Sequence, residues 1–432
     1  MFTYLKQIWN TKELRNRILF TIAILVLYRF IAQISVPGAN QEILQQIQGQ
    51  QNELLQVLSL LTGGSTENFS IVLMGIGPYI NAVIIMQLLQ VVSPKLESIA
   101  EEGESGKRKL NGYTHWLTLP LAFLQSYGML VLLNSSVGGV SIIDTTSISV
   151  LLPMITVTAG TILLVWLGEL ITEKGIGNGI SLLIFTSIMS QIPGAIGSGI
   201  SLATGDQQAL VAFLAVLIIT VLLVIIVVLV NEADRKIPLT YAGQGMKSKA
   251  DQAFLPIKIN QAGMIPIIFA VALITFPGII GQFMASSTSP TLQTISSYLT
   301  SIFTVGSWSY ASAYFFLTLL FTFFYVSITF KPSQIAESIQ KRGGYIPGIR
   351  PGKQTIDYIQ TISRRLTLFG ALFLAIIAII PIVLNSIFRT GSITAFTLVL
   401  SGAGIIIIVG VVLELLRQIN ASMVMHDYKK FY

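Results

Sequence analysis

Phe69-Ser70-Ile71-Val72-Leu73 runs through Met74 into Gly75-Ile76-Gly77-Pro78-Tyr79-Ile80, and the fold turns on how this stretch is read. The first five residues are apolar but for one serine. They are far too few to cross a bilayer, which takes about 20 residues as a helix. A Gly-Gly-Pro break then leads into a full-length apolar segment. A short apolar piece broken from a span reads as re-entrant, and non-helical backbone at that depth is tolerated only where it lines a cavity or packs on protein. The stretch upstream, 38–68, is Gln-rich from Gln41 to Gln56 and ends in Thr62-Gly63-Gly64-Ser65.

Outward from that stretch, the chain is a series of apolar segments. Ten are expected, roughly at 18–36, 74–92, 114–134, 150–171, 180–199, 209–230, 262–282, 309–330, 367–386 and 395–416. With 53% hydrophobic and only 10% charged residues, the 432-residue chain is no soluble globule, which would carry about 25% charged residues. Of its 26 Lys and Arg, all but Arg29 and Arg389 fall in every second connection. Positive residues flanking membrane helices stay cytoplasmic, so the pattern sets both termini inside. The first apolar run follows Lys12, Arg15 and Arg17; it is long enough to span and lacks a small-residue cleavage site, so it reads as a first membrane helix rather than a signal peptide. Cysteine is absent, which excludes disulfides and thiolate metal sites.

Two inward connections, about 231–260 and 331–366, are long for a compact fold. Both mix basic residues with Pro and Gly, as in Gly343-Gly344-Tyr345-Ile346-Pro347-Gly348-Ile349-Arg350-Pro351-Gly352. They are either solvated topology determinants or a shaped docking surface. The halves also rhyme: Gly77-Pro78-Tyr79-Ile80 opens the second span, and Ile265-Pro266-Ile267-Ile268 opens the second span of the other half. Five spans starting inside and five starting outside suggest an inverted repeat around a central pathway, although Pro is common in membrane helices in any case.

Ionisable residues at mid-membrane mark proton relays and substrate counter-charges. Here Glu169 and Glu414 fall at inner helix ends, and 259–330 contains no charge at all. An ion-coupled carrier would lack its coupling carboxylate. His115 and His426 also fall at inner ends, so neither serves a mid-membrane serine as a base. A conduit without charges can seal with apolar rings that dewet. Ile76 and Ile80 share one helical face, as do Ile180 and Ile184; these are packing positions or such a ring. Asn81, Gln87, Gln125 and Asn260 are uncharged amides of the kind that hydrogen-bond across membrane helix interfaces.

Taken in order, several motifs resemble the SecY family of protein-translocation channels over essentially the whole chain. They are Phe69-Ser70-Ile71 through Ile80, Gln87-Leu88-Leu89, and Glu102-Gly103-Glu104-Ser105-Gly106-Lys107-Arg108-Lys109. Then come Trp166-Leu167-Gly168-Glu169, Ile171-Thr172-Glu173-Lys174-Gly175-Ile176-Gly177-Asn178-Gly179-Ile180-Ser181, and Arg235-Lys236-Ile237-Pro238. Leu255-Pro256-Ile257-Lys258-Ile259-Asn260, Ala262-Gly263-Met264-Ile265-Pro266 and Gly348-Ile349-Arg350-Pro351-Gly352-Lys353 complete the set.

The resemblance implies an all-α integral membrane protein: ten transmembrane helices in two inverted five-helix halves (1–200 and 201–432) around a central pore, with a short re-entrant plug helix at about 61–72. It implies a pore ring of Ile76, Ile80, Ile180, Ile184, Ile268 and Ile407, and a plug region including Gly63, Gly64, Phe69, Ser70 and Ile71. A lateral gate between spans two–three and seven–eight would carry Asn81, Gln87, Gln125 and Asn260. Docking of a SecA motor ATPase or a ribosome would fall on Arg235, Lys236, Lys247, Lys249, Arg350 and Lys353. Expected partners are SecE-type and SecG-type small membrane subunits, signal peptides, secretory preproteins and membrane lipids, in a bacterial plasma membrane. No catalysis and no cofactor are implied. The chain departs from the family pattern at His115, Leu170, the Ser401-Gly402-Ala403-Gly404 run and the short loop tip 243–251. An accessory, substrate-restricted member of the family is the alternative these departures allow; an inverted-repeat solute transporter is the alternative from another class.

Overall fold

The computed structural model describes residues 9, 11–37, 69–136, 150–203, 207–241, 253–285, 289–303, 307–387 and 402–430. Each of the ten expected segments overlies a helix: α1 (Lys12–Ile31), α2 (Gly77–Val92), α4 (Glu104–Ser136), α5 (Leu151–Lys174), α6 (Gly179–Ala203), α7 (Gln207–Glu232), α8 (Ile265–Ala285), α10 (Trp308–Thr329), α12 (Lys353–Ile387) and α13 (Gly402–Lys430). Among the described residues, six helices are long and apolar enough by themselves to cross a membrane, or seven if α2 is joined to the short α3 (Pro94–Glu101), from which it bends by 103°. Pro78 and Pro94 sit in the first turns of α2 and α3, where the missing N–H would find no helical partner anyway.

Many large apolar side chains on these helices face outward, among them Val26, Phe30, Leu124, Ile218 and Leu229. A soluble protein would bury that surface; a bilayer covers it. Inside, two apolar clusters form. One gathers α1, the 71–76 turn, α5, α6 and α13. The other gathers α2, α7, α8, α10, α12 and α13. Ile80 and Met264 touch both clusters.

The stretch that opened the sequence reading is pinned at its start. Val36 N–H donates to Phe69 O (2.8 Å) and Ile71 N–H to Ile34 O (2.9 Å), so 34–36 and 69–71 pair like a fragment of sheet. Phe69 is completely buried with φ of 45°, a conformation that non-glycine residues hold only when their surroundings enforce it. Residues 69–76 are turns rather than helix, and Ile71 crosses α5 at Gly160, where any Cβ would stand 2.0 Å from the Ile71 carbonyl oxygen.

The two long connections hold strands that the sequence reading did not foresee. β1 (Asp234–Tyr241) pairs antiparallel with β2 (Ala253–Lys258), Arg235 opposite Ile257. Its far end, Thr240 and Tyr241, pairs with β3 (Gly344–Tyr345) from the other connection. Ile237 and Leu239 alternate inward with period two and pack on Ala336 and Ile339 of α11 (Pro332–Lys341) and on Ile359 of α12. The two connections are therefore one small folded body. A further helix absent from the sequence reading, α9 (Pro290–Phe303), folds back on α8, with Ser296 Oγ donating to Gly281 O at 2.6 Å.

Candidate functional site

Where the two clusters meet, the helices leave a cavity of about 460 Å³. Its wall includes Ile80 of α2, Ile184 of α6, Ile268 of α8 and Ile407 of α13, with no charged residue. Four of the six isoleucines assigned to a ring thus converge on one space. The other two lie in the same apolar cluster but do not line the cavity. Ile76 precedes α2 as its cap, its carbonyl accepting from Ile80 N–H at 3.1 Å one turn on. Ile180 sits at the start of α6, where its Cδ1 rests on Gly168 of α5.

Asn81 and Gln125 also line the cavity. Gln125 Nε2 and Gln87 Oε1 are buried with no hydrogen-bond partner. Asn260 lies elsewhere. Helix α8 starts only at Ile265, so Asn260 falls in the connection before it and locks that turn: its Oδ1 accepts from Gly263 N–H (3.1 Å), and its Nδ2 donates to Asn231 Oδ1 at the end of α7 (2.9 Å). The cavity wall on the α2 and α4 side and that on the α8 side are in direct packing contact. On the α2 face beyond the cavity, Ile84 packs in the cluster that holds Phe269, Tyr310 and Tyr314.

Of the basic residues, Arg235 and Lys236 stand exposed on β1, and Arg350 and Lys353 are exposed around a turn. That turn is held by glycines at positive φ, Gly348 (81°) and Gly352 (100°), and by Thr355 Oγ1 donating to Arg350 O at 3.0 Å. Nearby, partial burial and then Arg417 hold the Lys258 ammonium below its ordinary pKa. Gly63, Gly64, Lys247 and Lys249 lie outside the described residues, whereas Phe69, Ser70 and Ile71 form the pinned turn.

The sequence reading placed His115 and Glu169 separately at helix ends; the structure joins them, Nε2 to Oε1, at 2.8 Å between α4 and α5. The Tyr79 ring stands edge-on to His115 at 5.8 Å. A histidine and a carboxylate near the facing ends of consecutive spans were the available signal. Among the described residues, no group of three or more His, Cys, Asp or Glu could hold a metal ion.

An uncharged internal cavity walled by helices that show apolar side chains to the outside defines a polytopic helical membrane protein built around an inner space. More specifically, the chain belongs to the SecY family, whose model matches residues 70–416. It is 38% identical over 440 residues to the protein translocase subunit SecY of Staphylococcus aureus (strain NCTC 8325 / PS 47), covering 100% of this chain and 99% of that protein. In fold it is similar to the structure of a protein-conducting channel (TM-score 0.66, 21% identity, 94% of this chain and 91% of that one). It is also similar to Sec61 in a canine ribosome–channel complex (TM-score 0.62, 21% identity, 94% and 91%).

Proposed function

We propose that this chain is the protein-conducting subunit of a bacterial Sec-type translocase, passing unfolded secretory polypeptides across the plasma membrane and releasing membrane segments sideways into lipid. One observation carries the reading: Ile80, Ile184, Ile268 and Ile407, from four different helices, meet at a single uncharged cavity. Branched apolar side chains offer a sliding polypeptide no hydrogen bond and no fixed charge. Closed, the same side chains exclude water and ions. Ile76 and Ile180 back the ring from behind. The two halves, 1–200 and 201–432, are inverted repeats that meet at this waist, and 61–72 is the plug.

The seam between α2 with α4 and α8 with α10 is the lateral gate, with Asn81, Gln87 and Gln125 as its polar residues. Signal peptides of preproteins enter there and face lipid. The body formed by the two basic connections docks a SecA motor ATPase or a ribosome through Arg235, Lys236, Lys247, Lys249, Arg350 and Lys353; the sheet that joins the connection bearing Arg235 and Lys236 to the one bearing Arg350 and Lys353 supports that role. SecE-type and SecG-type subunits brace the assembly, and both termini are cytoplasmic. The chain performs no catalysis of its own; the driving energy comes from the motor or from translation.

The test replaces Ile80 and Ile184 with serine in the reconstituted complex. Ion conductance of sealed vesicles should rise several-fold while preprotein export persists. Unchanged conductance with normal channel levels would refute the ring.

A further inference from the structure

Helix α9 has three sides, and they meet three different surroundings. One packs on α8: Ser296 is buried with its Oγ donating to Gly281 O, and a Cβ at Gly281 would stand 3.0 Å from Leu299 Cβ. A second side is polar and exposed, formed by Gln293, Ser297 and Ser301. The third is apolar and exposed as well. Leu292, Ile295, Tyr298 and Ile302 recur every three or four residues and so share a face. Ile295 is 48% and Tyr298 67% exposed, so no described residue covers this side.

The place of the helix in the fold says what does. α9 is fastened at the ends of two spans. Gly281 lies close to the end of α8 at Ala285, and Ile302 O accepts from Ser309 Oγ (2.9 Å) in the first turn of α10. Both ends are remote from the basic connections, which meet α8 at its start and α10 at its finish. Ile280, beside Gly281, and Trp308, beside the serine that binds Ile302, are also large, apolar and exposed. The apolar side of α9 thereby joins the outward surface of the spans, which lipid covers. Tyr298 and Trp308 are the residue types that collect at the membrane–water boundary. No residue from 259 to 330 is charged, so acidic headgroups hold no attraction for α9, and apolar area is left to drive contact. A helix with protein on one side, water on the second and an uncharged apolar strip on the third belongs where protein, water and hydrocarbon meet.

We propose that α9 is an interfacial anchor. It lies at the bilayer surface opposite the basic connections, with Leu292, Ile295, Tyr298 and Ile302 sunk about 5–10 Å into the boundary between headgroups and acyl chains. Its partner is the lipid surface itself, whatever the headgroup charge. Because Gly281 leaves no gap between the two helices, the anchor holds the end of α8 at that depth.

The chain has no cysteine, so single cysteines report one site each. Ile295→Cys, Leu292→Cys and Ser297→Cys are labelled with the fluorophore NBD in the full channel with its partner subunits, in phosphatidylcholine vesicles with iodide on both sides. Iodide should quench the probes at Ile295 and Leu292 about threefold less than the probe at Ser297, and a nitroxide high on the lipid acyl chain should quench those two alone. Iodide quenching of either apolar-side probe equal to that at Ser297 would overturn the anchor. So would protection of the Ile295 probe from both quenchers, the mark of a protein lying on that face. Adding phosphatidylglycerol should change nothing; a contrast that arises only with the acidic lipid would mean that charge and not apolar area draws the helix, and the proposal would be wrong.

Discussion

The side of the molecule formed by α1, α5, α6 and the end of α13 differs in kind from the seam between α2 and α8. On the first, several polar groups are paired across helices, Thr161 Oγ1 being an unpartnered exception, and backbones touch. Tyr28 OH and Ser187 Oγ are hydrogen-bonded at 2.6 Å, and Ser187 Oγ–H donates to Leu183 O at 2.9 Å. The Gly175–Asn178 turn is held from two sides: Ile176 N–H donates to Thr21 Oγ1 of α1 (3.1 Å) and Gly177 N–H to Gln418 Oε1 of α13 (2.8 Å). Gly179 lies so close to α5 that a Cβ would stand 1.8 Å from Gly168 O. Along the seam there is a cavity, and Gln87 and Gln125 carry unpartnered polar atoms. Interfaces between membrane helices gain from close packing of small residues and from hydrogen bonds, because lipid supplies no hydrophobic force between helices. One side is built to stay shut, and the other holds back much of what would keep it so.

Gly160→Val tests the tight side most severely. Its side chain would meet the Ile71 backbone, whose own position is fixed by Ile34, so neither wall can yield. We expect a loss of stability of about 4 kcal/mol or more, the range of severe overpacking. It would be read as loss of the folded channel in detergent melting and in yield. Tyr28→Phe, a far smaller change, removes the Tyr28–Ser187 bond and leaves Ser187 satisfied by Leu183. It should lower stability by about 0.5–2 kcal/mol, visible as a few degrees of melting temperature. Gln418→Leu frees Gly177 N–H at an exposed edge where water can replace the lost acceptor, so about 0.5 kcal/mol or less is expected.

The helical spans were legible because a membrane helix must hide its whole backbone within one uninterrupted apolar segment, and such segments are visible as length. The sheet between the two long connections was not, since it joins residues about a hundred apart, Thr240 with Tyr345, through strands as short as two residues. No periodicity survives over two residues. Spacing by four did not tell which isoleucines reach the cavity: Ile180 stands one turn before Ile184 on α6, yet it rests on Gly168 while Ile184 lines the space. Asn260 shows a boundary effect. An amide counted as membrane-embedded turned out to precede α8 and to cap a turn, because the helix started later than the apolar run suggested. Residue types singled out the amides and isoleucines, while helix ends and packing decided which of them face the cavity.

The smallest expected effect distinguishes the two sides most sharply. Gln125→Leu removes an amide, and on the tight side such a loss would weaken the protein. At the seam, Nε2 has no partner to lose, and leucine fills similar volume beside Leu121, Leu124 and Met129 on the cavity wall. Deleting an unpaired buried donor is neutral or stabilising, because the desolvation penalty leaves with it. Melting of the purified channel should therefore stay within about 0.5 kcal/mol of wild type or rise slightly, the opposite sign to Tyr28→Phe. A drop as large as that of Tyr28→Phe would mean that Gln125 is bonded across the closed seam after all, and the contrast between a satisfied side and an unsatisfied one would fail at the residue where it is drawn most clearly.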